Sequence, residues 1–198
     1  MDQKILREEI VYTAIFGTLW GITEIFVSSL LYAARLPFRG IIMAAIATVI
    51  LVVAREFVSY RSSSIVIGVI ASLLKVFSMA GFAVTPVVAI LLESFLAELA
   101  FLLVGYNIYS AGLSGALILV YSFSHGLIMH GVFFGTSIYK TYMNIISEIA
   151  SWINVTRENL YIFLIAIGLI NGIIGITVGI IGWKIAKKAR SSLKETME

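Results

Sequence analysis

Three ionisable residues lie inside long apolar stretches of this chain, each on a stripe of small residues. Glu24 shares a helical face with Gly17, Gly21 and Ser28. Lys75 shares one with Ser64, Gly68, Ala71 and Ser78, and Glu93 shares one with Pro86, Ala89, Ala97 and Ala100. Small-residue stripes are the faces by which membrane helices approach closely. A charged side chain at mid-bilayer costs on the order of 3 kcal/mol even on the lenient insertion scale, so it faces protein or a water-filled cavity. At about 1.5 Å per residue, Glu24, Lys75 and Glu93 fall roughly 9–14 Å below one boundary, with His130 roughly 10 Å down. Four ionisable groups in one layer predict a polar pocket opening outward. The same residues also allow a purely structural ion pair of Lys75 with Glu93, across the hairpin joining their spans.

The remaining polar residues add less. Glu98 follows Glu93 by five positions, about 140° around a helix, so the two are expected to face different ways. His125 and His130 are likewise five apart, unlike the i, i+4 pair of a metal site, and each also suits a simple helix–helix hydrogen bond. There is no cysteine, so no thiolate metal site or disulfide framework exists. No metal, cofactor or catalytic residue is expected. No Walker A loop, Rossmann fingerprint, nucleophile elbow or HExxH motif is present, which argues against an enzyme. Asn171 stands near mid-membrane and could hydrogen-bond a ligand or a neighbouring helix. Gly168, Gly172, Gly175, Gly179 and Gly182 form a continuous groove, suited to packing within the chain or to another subunit.

Six apolar spans must position these groups. They run over about residues 10–33, 41–54, 64–80, 85–105, 111–137 and 157–183. The fourth has Thr85 as a plausible N-cap, Pro86 at the first helical position and Gly105 as a stop. A hydrophobic share of 60% and a mean hydropathy of +1.03 exceed those of soluble domains. The fold class expected is an all-α membrane protein, one polytopic domain over residues 1–198, multi-pass in the cell membrane. The N-terminus, MDQKILREEIVYTAIFG, reads as a cytoplasmic lead into the first span and not as a removed signal peptide. Lys and Arg outside the spans number nine on the side of both termini and four on the other. The positive-inside rule therefore places both termini in the cytoplasm. The basic residues sit mostly at span ends and form no broad nucleic-acid surface. Residues 142–153 alternate apolar and polar positions at helical spacing. They predict an amphipathic helix at the outer interface between spans five and six, either passive or a lid. Asn154-Val155-Thr156 matches a glycosylation acceptor, while Thr156 also suits an N-cap.

The size, six-span layout and helix-packing pattern resemble the substrate-binding (S) components of energy-coupling factor transporters, which import vitamins and their precursors. The residues carrying the resemblance are the small-residue first span TAIFGTLWGITE, the RLPFRG loop behind it, and the charged spans four and five. The likeness covers nearly the whole chain and is architectural. It implies a small-molecule substrate, a coupling transmembrane subunit, two separate ATPase subunits and the lipid bilayer as partners. It places ligand near the outer face, between the first and third loops and spans four to six. Glu24, Lys75, Glu93, His130, Arg39 and Asn171 are the expected binding residues. That family docks its coupling subunit on an AxxxA-type face of span one. The nearest matches here are Ala14 with Thr18 and Gly17 with Gly21. Its nickel and cobalt members carry histidine near Met1, and MDQKIL does not, so metal transport is set aside.

Glu24 and Glu93 suit a cationic heterocycle such as a thiamine precursor. Lys75, Arg35 and Arg39 suit a carboxylate such as biotin or pantothenate. The first is preferred. Two other classes stay open: an assembly subunit of a larger membrane complex, and a small proton-coupled carrier using Glu93 or Glu98. No inverted repeat is visible, which weighs against the carrier. The topology has a direct test. A reporter active only in the cytoplasm should give signal when fused to the C-terminus and none when placed between residues 140 and 157. The reverse pattern would overturn the orientation.

Overall fold

The computed structural model of the chain describes residues 3–36, 38–77, 84–134 and 160–197. Six helices run through them: α1 (Gln3–Ala33), α2 (Arg39–Phe57), α3 (Ser63–Val76), α4 (Val84–Val104), α5 (Ile108–Phe134) and α6 (Leu160–Met197). Four stretches, Arg7–Ala33, Arg39–Phe57, Val84–Val104 and Leu164–Thr196, are long and apolar enough to cross a membrane. The helix α3 has 14 residues, about 21 Å, which is shorter than a hydrocarbon core of about 30 Å. The expected interfacial helix over 142–153 and the Asn154–Thr156 motif lie outside the described residues, as do Ser78 and the side chain of His130.

Local chemistry explains the ends. At the close of α4, Gly105 adopts a φ of 74°, and its N–H donates to Phe101 O at 3.0 Å, a left-handed stop that glycine permits without strain. Asn107 then caps α5. Its Oδ1 accepts from Tyr109 N at 2.8 Å and Ser110 N at 3.0 Å, satisfying helix N–H groups that have no intrahelical partner. The sequence expectation ended span six at Trp183. Instead α6 continues to Met197, because IAKKARSSLKETM is rich in helix formers and contains neither glycine nor proline.

α2 is the hub and packs against each of the other five helices. Its Ala44, Ala47, Leu51, Val52 and Ala54 are all but inaccessible. Alanine in these positions lets neighbours approach on several sides. α1 packs chiefly on α3, and α5 chiefly on α6. Charge and apolarity are distributed the opposite way from a water-soluble domain. Glu9, Glu24, Glu56, Lys75, Glu93, Glu98 and Asn171 are buried, while Phe26, Leu30, Leu103 and Leu169 are more than 60% exposed. An apolar exterior over a polar interior is what a lipid environment selects.

The glycine stripes are consumed inside the chain. A Cβ on Gly17 would stand 2.8 Å from Ile70 Cβ, and one on Gly21 would stand 2.6 Å from Leu74 Cδ1. Both glycines therefore seat α3 against α1. The expectation that Gly17 and Gly21 dock a separate subunit is corrected, since that face is already occupied. Ala14 and Thr18 remain on the exposed side of α1. Along α6, a Cβ on Gly175 would fall on the Gly115 carbonyl, and one on Gly179 on the Ala111 carbonyl. The α5 and α6 backbones touch there, so this part of the α6 groove is an internal seam. Gly168 has nothing within 4 Å and supplies a control. Gly179→Ala should lower the unfolding midpoint of the purified chain in detergent by the equivalent of at least about 1–3 kcal/mol, the usual range for overpacking. Gly168→Ala should leave it unchanged or slightly raised.

Candidate functional site

The polar interior divides into two layers, one toward each end of the bundle. The first lies toward the end where α1, α3 and α5 finish and α4 and α6 begin. It contains the inward faces of Glu24, Lys75 and Glu93. All three are buried, at 6%, 9% and 5% exposure. Each lies on the buried side of its helix, as its small-residue stripe predicts.

The pairing differs from expectation. Lys75 bonds across to α1, not across the hairpin to Glu93. Its Nζ stands 3.6 Å from Glu24 Oε2 and donates to the Glu24 carbonyl and, at 2.9 Å, to Ser28 Oγ. The reason is adjacency. Gly17 and Gly21 draw α1 onto α3, and these parallel helices bring the C-terminal turn of α3 beside the last third of α1. One turn before Glu24, Trp20 is wholly buried. Its Nε1 finds no hydrogen-bond partner among the described residues, though the indole lies close enough to the Glu24 carboxylate to interact.

Glu93 is left without an ion pair or hydrogen bond among the described residues. It sits within electrostatic reach of the Glu24 carboxylate and of the Tyr121 phenol. Tyr121 is in turn joined to His125, with Oη 2.6 Å from Nδ1, and His125 Nε2 lies 3.1 Å from Thr85 O. A carbonyl can only accept, so Nε2 carries the proton. In the neutral ring, Nδ1 then accepts from the tyrosine. This chain of bonds fastens α5 to the first turn of α4. The helix–helix hydrogen bond expected of His125 is present, in its contact with Thr85 O, whereas Tyr121 was not among the expected site residues. The signal available was their i, i+4 spacing, which puts both rings on one face.

Other expected site residues are not drawn into this layer. Arg39 is exposed, with its guanidinium 4.8 Å above the Tyr32 ring. Asn171 is buried, but its Nδ2 donates to Ile167 O of its own helix at 2.9 Å. The His130 side chain is not among those described. No group of three or more potential metal ligands occurs among the described residues.

The second layer belongs to the opposite end and is built as structure. Glu98 meets Arg55 at 3.6 Å and accepts from Ser62 N at 2.7 Å and Ser64 N at 3.1 Å. It caps α3 in trans, satisfying free N–H groups at the positive end of the helix dipole. Ser62 has a positive φ and makes no side-chain cap of its own. Glu93 and Glu98 were expected to face different ways, yet both are buried. α4 packs between α3 and α5 and also touches α2, so its buried arc is wide enough for both. Glu9 accepts from the Ser59 N–H at 3.0 Å and from its hydroxyl, and Glu56 faces Lys187 at 2.7 Å. Burial, reinforced by Glu56, pushes the Tyr106 phenol up, so it stays protonated and donates to Val52 O at 3.0 Å.

The pairing can be tested by rescue. Lys75→Met leaves Glu24 unpaired in the interior and should destabilise the chain by about 3–5 kcal/mol, whereas adding Glu24→Gln should recover most of that loss. Thermal unfolding in detergent reads both. Rescue by Glu93→Gln in place of Glu24→Gln would overturn the assignment.

No protein-family model matches this chain, and no curated protein or solved structure shows significant similarity to it.

Proposed function

We propose that this chain is the substrate-binding membrane subunit of an energy-coupling factor type importer and captures a small cationic vitamin or vitamin precursor, similar to a thiamine precursor. The observation that carries this reading is Glu93. It is 5% exposed, lacks an ion pair among the described residues, and lies within electrostatic reach of Glu24 and Tyr121. A buried carboxylate without a counter-charge is costly, and a bound cation would offset that cost. Lys75 is already committed to Glu24, which argues against its serving a carboxylate ligand such as biotin. Tyr121, within electrostatic reach of Glu93, offers an aromatic face suited to a cationic heterocycle.

In this reading the layer faces the outside and both termini face the cytoplasm. Energy comes from two ATPase subunits through a coupling transmembrane subunit. Ala14 and Thr18, on the exposed face of α1, are the residues retained for docking that subunit. A second reading rests on the same carboxylate, because an unpaired buried glutamate also suits a small proton-coupled carrier.

Equilibrium binding of thiamine and biotin to the purified chain discriminates. Thiamine should bind, and biotin should not. Glu93→Gln, which keeps shape and removes charge, should weaken thiamine binding by at least about tenfold, the effect of losing one charge-assisted contact of 1.4 kcal/mol or more. Proton flux through liposomes holding the chain alone, with no thiamine binding, would favour the carrier.

A further inference from the structure

At the opposite end of the bundle, where α2 and α4 finish and α3 begins, a cavity of about 550 Å³ opens. Four basic side chains line it: Arg55, Arg61, Lys187 and Arg190. Among the described residues two carboxylates answer them. Glu56 stands 2.7 Å from Lys187 and 3.4 Å from Arg190, and Glu98 stands 3.6 Å from Arg55. Arg61 is exposed and makes no ion pair among the described residues. The cleft thus carries an excess of positive charge that nothing within the described chain neutralises. It lies outside the Glu24–Glu93 layer and has no part in the ligand-binding reading above.

Its surroundings narrow the chemistry. Leu102 forms part of the wall and is 51% exposed, and Leu103 and Val104 follow it at 70% and 42%. Tyr106 and Trp183 stand at the same level, their rings 5.5 and 5.6 Å from Lys187 Nζ. Amphipathic aromatic rings next to lysine mark the height at which headgroups meet hydrocarbon. Beyond this point α6 continues with Lys184, Lys188 and Lys194 exposed, a cluster that attracts anionic lipid in general. A water-soluble anion would use the basic groups and leave the apolar wall unused. An anionic phospholipid uses both.

We propose that this cleft binds the phosphate of an anionic phospholipid, held by Arg61 and by Lys187 and Arg190, two cations that share the one carboxylate of Glu56, with its acyl chains lying along Leu102, Leu103 and Val104. Arginine supplies a fork of donors matched to phosphate oxygens, and lysine supplies a point charge.

Arg61→Gln is the informative variant, because its removal leaves no buried acid unpaired and the fold should persist. Native mass spectrometry of the full chain in detergent, titrated with phosphatidylglycerol, reads occupancy. One phosphatidylglycerol should bind in preference to phosphatidylcholine. Arg61→Gln should weaken it roughly fivefold, the weight of one basic residue near a membrane surface. Lys188→Gln, which removes the same charge from another face of α6, should have little effect. Equal losses in the two variants, or equal binding of the two lipids, would overturn the site. Glycerol phosphate binding as tightly as the lipid would overturn the lipid assignment in favour of a soluble phosphate ester.

Discussion

A lysine ammonium in an apolar medium is tolerable only with a carboxylate and further acceptors within reach, and Lys75 has all of these on α1. The Glu24 carboxylate, the Glu24 carbonyl and the Ser28 hydroxyl surround its Nζ. That contact requires α1 and α3 to run side by side at short range. Gly17 and Gly21 make the approach possible, because any larger side chain would meet Ile70 and Leu74. The ion pair and the glycines therefore depend on one another. The rest of the first polar layer follows, since pairing Lys75 with Glu24 leaves Glu93 without an ion pair among the described residues.

The second layer works in the opposite sense. Glu98 there is held by Arg55 and by two backbone N–H groups, so its charge is stabilised wholly from within the chain. Glu56 is paired with Lys187 and Arg190, and Glu9 accepts from Ser59 on one oxygen while its other oxygen has no hydrogen-bond partner among the described residues. Two glutamates on one helix thus have different prospects. Glu98 ties α2, α3 and α4 into one unit. Glu93 stands in the interior with no ion pair or hydrogen bond among the described residues. Groups that are satisfied within the fold suit structure, and a group that is not satisfied suits a ligand or a proton.

Between the layers, the bundle is held by shape more than by polarity. α2 contributes alanine and aliphatic residues to every neighbour, and α5 and α6 meet backbone to backbone at Gly115, Gly175 and Gly179. Without a hydrophobic driving force between helices in lipid, close packing of this kind supplies the attraction. The two polar layers sit at opposite ends of this packed framework.

Much of this was legible in the amino-acid sequence. Helical periodicity alone put Glu24, Lys75, Glu93, Ala97 and Ala100 on buried faces, because side chains on one stripe share an environment whatever the neighbour is. Gly105 announced the end of α4 through a backbone conformation that glycine adopts freely. The partner of Lys75 was not legible. The chain brings α3 and α4 together through a short connection, yet the α1–α3 contact joins residues 51 positions apart, and periodicity carries no information about which helix lies opposite. The glycine rows of α1 and α6 show the same division. Their spacing determined that something must come close, and only the tertiary structure decided that the close neighbours are α3 and α5 of the same chain. Tyr121 and Arg55 gain their roles in the same way, since a hydrogen bond or ion pair depends on a distance in space that spacing along one helix does not contain.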